Sequence, residues 1–119
     1  MRYMMLYKPG KETDALPTER EMAAMGELIG DMARSGVLIA TDGLQPSSKG
    51  MRVRIDKGGG FAITDGPFTE SKELIAGFAI VQVKTKEEAI ELAKRFLKAV
   101  GEGESEIRLM HDAAAFPPS

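Results

Sequence analysis

One pattern of apolar residues occurs twice in this sequence, and it restricts the fold more than any other feature. Each copy consists of an apolar strand, an amphipathic helix and a second strand. Before both helices a threonine is followed three residues later by a glutamate, which is typical of a helix N-terminus. Gly36 and Gly101 are the expected stops. The predicted elements are strands 3–7, 37–40, 74–83 and 105–110, and helices 19–35 and 86–100.

A predicted hairpin lies between the two copies. Residues 51–56 alternate between apolar and polar, which is typical of a half-exposed strand. Lys57-Gly58-Gly59-Gly60 then turns the chain into a second short strand, 61–64. The glycines lack the spacing and the following helix of a phosphate-binding loop. The order predicts an α+β fold with a ferredoxin-like βαβ-(β-hairpin)-βαβ sheet and both helices on one face.

The predicted sheet has apolar side chains on both faces. In strand 74–83, Phe78 and Ile80 lie on one face, whereas Ala79, Val81 and Val83 lie on the other. Two helices on one side leave the other face uncovered, and apolar patches of that size are rare in monomers. We therefore expect a homodimer through this sheet face, with a cleft between or beside the subunits.

Composition excludes several classes of protein. The 119 residues suit a single domain, predicted as 1–110 with a C-terminal tail at 111–119. A net charge of −2 with interspersed signs argues against nucleic-acid binding. The absence of cysteine excludes disulfides and thiolate chemistry. No apolar run reaches the length of a membrane span, so a cytoplasmic protein without membrane partners is expected.

The turn Asp65-Gly66-Pro67-Phe68 is the most distinctive local motif. Gly66 and Pro67 force a turn between the hairpin and the longest apolar strand. Two roles for Asp65 remain open. The carboxylate can brace the loop by accepting hydrogen bonds from the turn amides. Alternatively, it can lie at the mouth of a cleft and act as a general base.

The other candidate site residues are few. Asp42 is a second carboxylate near a strand end, although its position before a glycine also suits a turn. His111, the single histidine, suits proton transfer or merely belongs to the tail. No cofactor is predicted. A metal site is not predicted either, because a single histidine does not supply enough ligands for a metal ion. The candidates for ligand binding are Gln45, Arg54, Phe68 and Lys72.

Several of these residues together resemble a known family. Asp65-Gly66-Pro67-Phe68, Gly77-Phe78 and Gly43-Leu44-Gln45-Pro46 are similar to the motifs of the YCII-related proteins, in particular their DGPF group. The resemblance implies a dimeric α/β barrel of the ferredoxin-like type. Most members have no established function. Some are fused or adjacent to sigma factors, and at least one relative is a dehydrochlorinase that acts on an aromatic ring.

The same resemblance contains one departure. Some YCII-related proteins carry a histidine on the first helix, proposed to form an acid/base pair with an aspartate. The first predicted helix here has no histidine, and Met25 lies near the corresponding position.

Two functions remain open at this point. The first is cofactor-free acid/base chemistry, of a lyase or isomerase type, on a small organic molecule bound near the sheet. The alternative is a non-catalytic metabolite-binding or regulatory module, linked through the family to sigma-factor transcription control.

Overall fold

A computed structural model describes residues 1–13, 15–69 and 73–112 of the chain. Within these ranges six strands and two long helices follow the predicted order. The elements are β1 (Arg2–Lys8), α1 (Glu19–Arg34), β2 (Leu38–Gly43), a 3₁₀ turn (Ser47–Lys49), β3 (Met51–Ile55), β4 (Phe61–Asp65), β5 (Gly77–Gln82), α2 (Lys86–Val100) and β6 (Glu104–Leu109).

Four of the strands form an antiparallel sheet in the order β2-β5-β1-β6. Both helices pack on one face of it. The core there contains Tyr3 and Met5 of β1 and Val81 of β5, together with Leu28 and Met32 of α1 and Ala89 and Ala93 of α2. The predicted α+β class, with two helices on one side of the sheet, is therefore confirmed.

The helix ends follow the local sequence signals. The hydroxyls of Thr18 and Thr85 accept hydrogen bonds from the amides of Glu21 and Glu88. Gly101 ends α2 in the left-handed region, with φ of 85°. These local interactions depend on few residues, which is why the sequence predicts them well.

The predicted start of the longest strand is wrong. Strand β5 begins at Gly77, not at residue 74. Leu74 is buried, but it lies in the preceding loop, because burial of an apolar side chain does not require strand geometry. The apolar residues of α1 are also not all buried, since 55% of the surface of Met22 is exposed. It lies in the first turn of α1, whereas the buried residues lie further along the helix, at Leu28 and Met32.

Strands β3 and β4 form a separate two-stranded sheet, as predicted. At its tip the carboxylate of Asp56 accepts hydrogen bonds from the amides of Gly58 and Gly60, both at 2.9 Å. These are the amides that a phosphate-binding loop would offer to its ligand. The triple glycine is thus a turn closed by its own aspartate.

Gly26 offers a direct test of the fold. Close packing against a strand would explain a glycine inside α1, but an added Cβ at Gly26 meets nothing within 4 Å. Alanine should therefore favour the helix without a clash, and Gly26→Ala is expected to raise the free energy of unfolding by about 0.5–1 kcal/mol. Chemical denaturation measures this change.

Gly101→Ala is the matched control, because it adds the same methyl group at the end of the other helix. At a φ of +85° this substitution is strained, so stability should fall. A loss of stability in Gly26→Ala would mean that α1 packs more tightly than the structure describes.

Candidate functional site

The turn Asp65-Gly66-Pro67-Phe68 lies against the 3₁₀ turn at Ser47. A Cβ added to Gly66 would overlap the carbonyl oxygen of Ser47, so only glycine fits there. The amide of Gly66 donates to the carbonyl of Gly50 at 3.0 Å. The amide of Phe68 donates to the hydroxyl of Ser47 at 2.9 Å. The turn is therefore fixed by backbone contacts to the segment that precedes the hairpin.

Glu12 completes this junction from the loop that follows β1. Its carboxylate accepts hydrogen bonds from the Ser47 amide at 2.7 Å and from the Ser47 hydroxyl at 2.8 Å. Hydrogen bonds to a charged acceptor are among the stronger ones in proteins. We call Glu12, Ser47, Gly66 and Phe68 the junction. Sequence reasoning missed Glu12 and Ser47, because no local pattern joins residues that lie 35 positions apart.

The two hairpin arginines differ in their surroundings. The guanidinium of Arg52 lies 3.9 Å from the centre of the Phe68 ring and 3.5 Å from the carboxylate of Glu73. Cation–π contact of this kind holds a side chain in place. Arg54 is exposed on the same face of the hairpin, opposite Ala62. Phe68 therefore supports the base of the hairpin, and Arg54 is the arginine whose head extends into solvent.

Asp65 lies on the surface of the hairpin. It is the last residue of β4, it is exposed, and it pairs across the hairpin with Met51. Within the described residues its carboxylate makes no hydrogen bond or ion pair, so it does not brace the turn through the turn amides. It lies on the same side of the hairpin as the apolar side chains of Met51 and Val53.

Asp42 lies on the face of the main sheet that the helices leave uncovered. It pairs with Phe78 of β5, and its Oδ1 accepts a hydrogen bond from the Gly43 amide at 2.9 Å. The strand register places Met4, Leu6, Ala40, Asp42, Phe78 and Ile80 in the middle of this face, which we call the open face, with Glu106 and Arg108 of β6 along one side of it. The four large apolar ones are only half-buried. A carboxylate thus lies beside an uncovered apolar strip.

A row of charges borders the open face along β6. Glu106 accepts hydrogen bonds from Lys8 at 2.8 Å and from Arg108 at 3.2 Å. The bond from Lys8, with that from Arg108, holds the pKa of Glu106 below its usual value. This group of three was not among the predicted site residues. The alternation of polar and apolar residues in β6 does indicate that Glu106 and Arg108 share a face.

Two of the remaining predicted site residues are exposed outside the strands. Gln45 is exposed in the loop after β2. His111 is exposed beyond β6, and its carbonyl oxygen accepts a hydrogen bond from Arg2 at 2.7 Å. Lys72 lies outside the described residues.

The structure contains a groove of about 690 Å³ elsewhere, along α2 on the opposite side of the sheet. It is lined largely by charged side chains, including Glu88, Glu91, Lys94 and Lys98, and by none of the predicted site residues. In the described ranges no three His, Asp or Glu side chains are grouped so as to hold a metal ion. Neither described helix is long and apolar enough to cross a membrane.

The junction predicts a specific effect on stability. Ser47→Ala removes the hydroxyl that joins Glu12 to the Phe68 amide and leaves both without that partner, so the free energy of unfolding should fall by about 1–3 kcal/mol. Ser48→Ala is the matched control, since Ser48 is exposed in the same turn. Equal stability of the two variants in denaturant titrations would contradict the junction.

The charged row predicts a dependence on pH. Because the folded-state pKa of Glu106 is lowered, its contribution to stability is present above about pH 4.5 and is lost as the pH falls through the lowered value. Glu106→Gln should therefore be less stable than the parent chain at neutral pH. The difference should shrink as the pH falls through the lowered pKa of Glu106, because the protonated side chain is neutral like glutamine. Glu104→Gln, on the same strand, should change little. A difference that persists unchanged in acid would contradict the ion pairs.

Two comparisons with known proteins found a match. The family model of the YCII-related domain matches residues 1–109. Among solved structures, the chain is similar to 5-chloro-2-hydroxyhydroquinone dehydrochlorinase from Burkholderia phenoliruptrix, determined in complex with 2,5-dihydroxybenzoquinone. The TM-score is 0.46 and the identity 11%, over 96% of this chain and 98% of that one. No curated protein sequence matches the chain.

Proposed function

Since the chain belongs to the YCII-related domain family, we propose that it binds a small organic molecule on the open face of its sheet, in a cleft closed by a second copy. The observation that carries the proposal is the position of Asp42 beside Phe78 and Ile80, on an apolar strip that no described helix covers. An apolar surface with one fixed polar group is the usual composition of a small-molecule site.

The chemistry proposed for this site is cofactor-free acid/base catalysis. Oδ1 of Asp42 is held by the Gly43 amide, which orients the carboxylate and leaves Oδ2 to accept a proton from the bound molecule. The same oxygen can return that proton to a second position, as in an isomerase, or keep it while a leaving group departs, as in a lyase. A covering subunit would exclude water from the carboxylate and the bound molecule.

The experiment is a screen of small aromatic and carbonyl compounds by ligand-observed NMR, followed by turnover measurements on the compounds that bind. Asp42→Asn should reduce turnover by about 100-fold or more while binding is retained, because the amide keeps the shape but not the basicity. Glu87→Gln, exposed on α2, is the control and should retain full activity. Equal turnover in Asp42→Asn and the parent chain would refute the assignment of Asp42.

One observation favours the non-catalytic alternative. In the described part of the chain, the resolved pKa shifts lead away from neutrality. Burial raises the pKa of Tyr7, a hydrogen bond to Glu106 raises that of Lys8, and hydrogen bonds from arginine or lysine lower those of Asp31 and Glu106. A general base at work near pH 7 needs the opposite kind of shift.

A regulatory or metabolite-binding module would give a different result in the same screen. It would bind a compound through the open face without converting it. Asp42→Asn would then weaken the binding of that compound, and there would be no turnover for the substitution to reduce. Co-purification with a sigma factor, abolished by Ile80→Glu but not by Glu87→Gln, would assign the open face to a protein partner.

A further inference from the structure

The strand register arranges the open face in two neighbouring rows. One row crosses the sheet from Ala40 to Arg108, and the next crosses it from Asp42 to Glu106. Asp42 and Arg108 therefore lie diagonally opposite each other, on different edge strands. The four large apolar side chains of the open face lie between them. A carboxylate and a guanidinium thus lie at the two ends of an apolar surface.

The diagonal has the length of a small organic molecule. Neighbouring strands lie about 4.8 Å apart, and residues two positions apart on one strand are separated by about 6.7 Å. Three strand spacings and one such step put the Cα atoms of Asp42 and Arg108 roughly 16 Å apart. The two side chains occupy part of this span, which leaves room for a flat molecule of about two fused rings.

The guanidinium of Arg108 is held in place but not buried. It donates to the carboxylate of Glu106 at 3.2 Å, and 72% of the Arg108 side chain is exposed. Exposed ion pairs of this kind add little to stability. A guanidinium carries five N–H groups in a planar fork, and only the bond to Glu106 is made within the described residues. The remaining N–H groups of Arg108 can therefore bind a second carboxylate.

Lys8, the other cation bonded to Glu106, has different surroundings. Its ammonium lies 2.8 Å from Glu106, and only 21% of its side chain is exposed. Glu104 lies opposite Lys8 in the register. The hydrogen bond to Glu106 raises the pKa of Lys8, and the negative charge of Glu104 adds to this effect. Lys8 is thus neutralised by two carboxylates, so an anion on the open face is attracted to Arg108 instead.

A second arginine adds positive charge beside Arg108. The Met110 amide donates to the Arg2 carbonyl at 2.8 Å, which places Arg2 next to Arg108 in the strand register. The Arg2 guanidinium donates to the carbonyl oxygen of His111 at 2.7 Å, and this partner carries no charge. On the open face, two guanidinium groups therefore share one carboxylate, that of Glu106.

From this arrangement we propose that the molecule bound on the open face is an organic anion, with its carboxylate held by Arg108 and its reacting carbon at Asp42. The inference rests on the proposed function and names the class of its substrate: a flat, largely apolar carboxylic acid of about two fused rings. Arginine suits this role because its planar fork matches both oxygens of a carboxylate. Arg108 would then determine specificity, while Asp42 accepts the proton.

The distance between the two residues separates their kinetic effects. A carboxylate held far from the reacting carbon is bound equally well in the ground state and in the transition state. Arg108→Gln should therefore raise KM and leave kcat nearly unchanged. Asp42→Asn should have the opposite effect, because it removes the proton acceptor and keeps the binding surface.

Pairs of probes that differ only in charge test the proposal before the natural substrate is identified. Ligand-observed NMR titrations compare naphthalene carboxylate with the uncharged naphthalene carboxamide, and then further acid–amide pairs of one to three rings. The parent chain should bind the acids about 10- to 100-fold more tightly than the amides, as charge-assisted hydrogen bonds predict. Arg108→Gln should abolish this preference.

Arg20→Gln is the matched control, because it makes the same change of charge at an exposed position of α1. It should keep the preference for acids. A second measurement does not depend on the folding of a variant. In the parent chain, the Nε–H signal of Arg108 should shift when the naphthalene carboxylate is added, and it should stay in place with the carboxamide.

The other outcomes overturn the proposal in distinct ways. Equal binding of acids and amides by the parent chain would refute the anionic substrate and leave the proposed function intact. A preference for acids that persists in Arg108→Gln would refute the assignment of Arg108. Loss of both ligands in Arg108→Gln, with an unmoved Nε–H signal in the parent chain, would mean that Arg108 only supports the sheet. Failure of every acid and amide to bind would refute both proposals.

Discussion

The structure depends on one constraint: two helices can cover only one face of a four-stranded sheet. Both helices lie on the face that carries Tyr3, Met5 and Val81, and this face forms the core. The other face keeps an apolar strip without cover from any described helix. Burial of apolar surface is the main favourable term in folding, and for this reason our proposed function places the bound molecule on this uncovered strip.

The junction determines where the hairpin lies relative to this sheet. Glu12, from the loop after β1, binds Ser47, and Ser47 binds the amide of Phe68. The ring of Phe68 in turn lies under the guanidinium of Arg52 at the base of the hairpin. Three segments distant in sequence are thereby joined at one end of the sheet. The Asp65-Gly66-Pro67-Phe68 motif is thus structural at Gly66 and Phe68, whereas the carboxylate of Asp65 is left on the surface.

The residues of the Asp65-Gly66-Pro67-Phe68 motif therefore differ in their contribution to the fold. A brace through the Asp65 carboxylate would need hydrogen bonds to the turn amides, and the described structure contains none. The glycine is needed instead, because the carbonyl of Ser47 occupies the space of a Cβ. Asp42, which the sequence marks only as an aspartate before a glycine, is the carboxylate that shares the open face with Phe78. Our proposed function therefore centres the chemistry on Asp42.

The sequence by itself determined the features that rest on local interactions. Helix starts at Thr18 and Thr85, the stop at Gly101 and the alternation in the hairpin depend on neighbours a few residues apart, and all are present. Tertiary structure decided the rest. Burial of Leu74 in a loop, exposure of Met22 and the bond from Ser47 to Glu12 depend on which distant segments meet, and no local pattern encodes that geometry. For the same reason only the fold could reveal that large apolar side chains of the hairpin, such as Val53 and Ile63, are exposed.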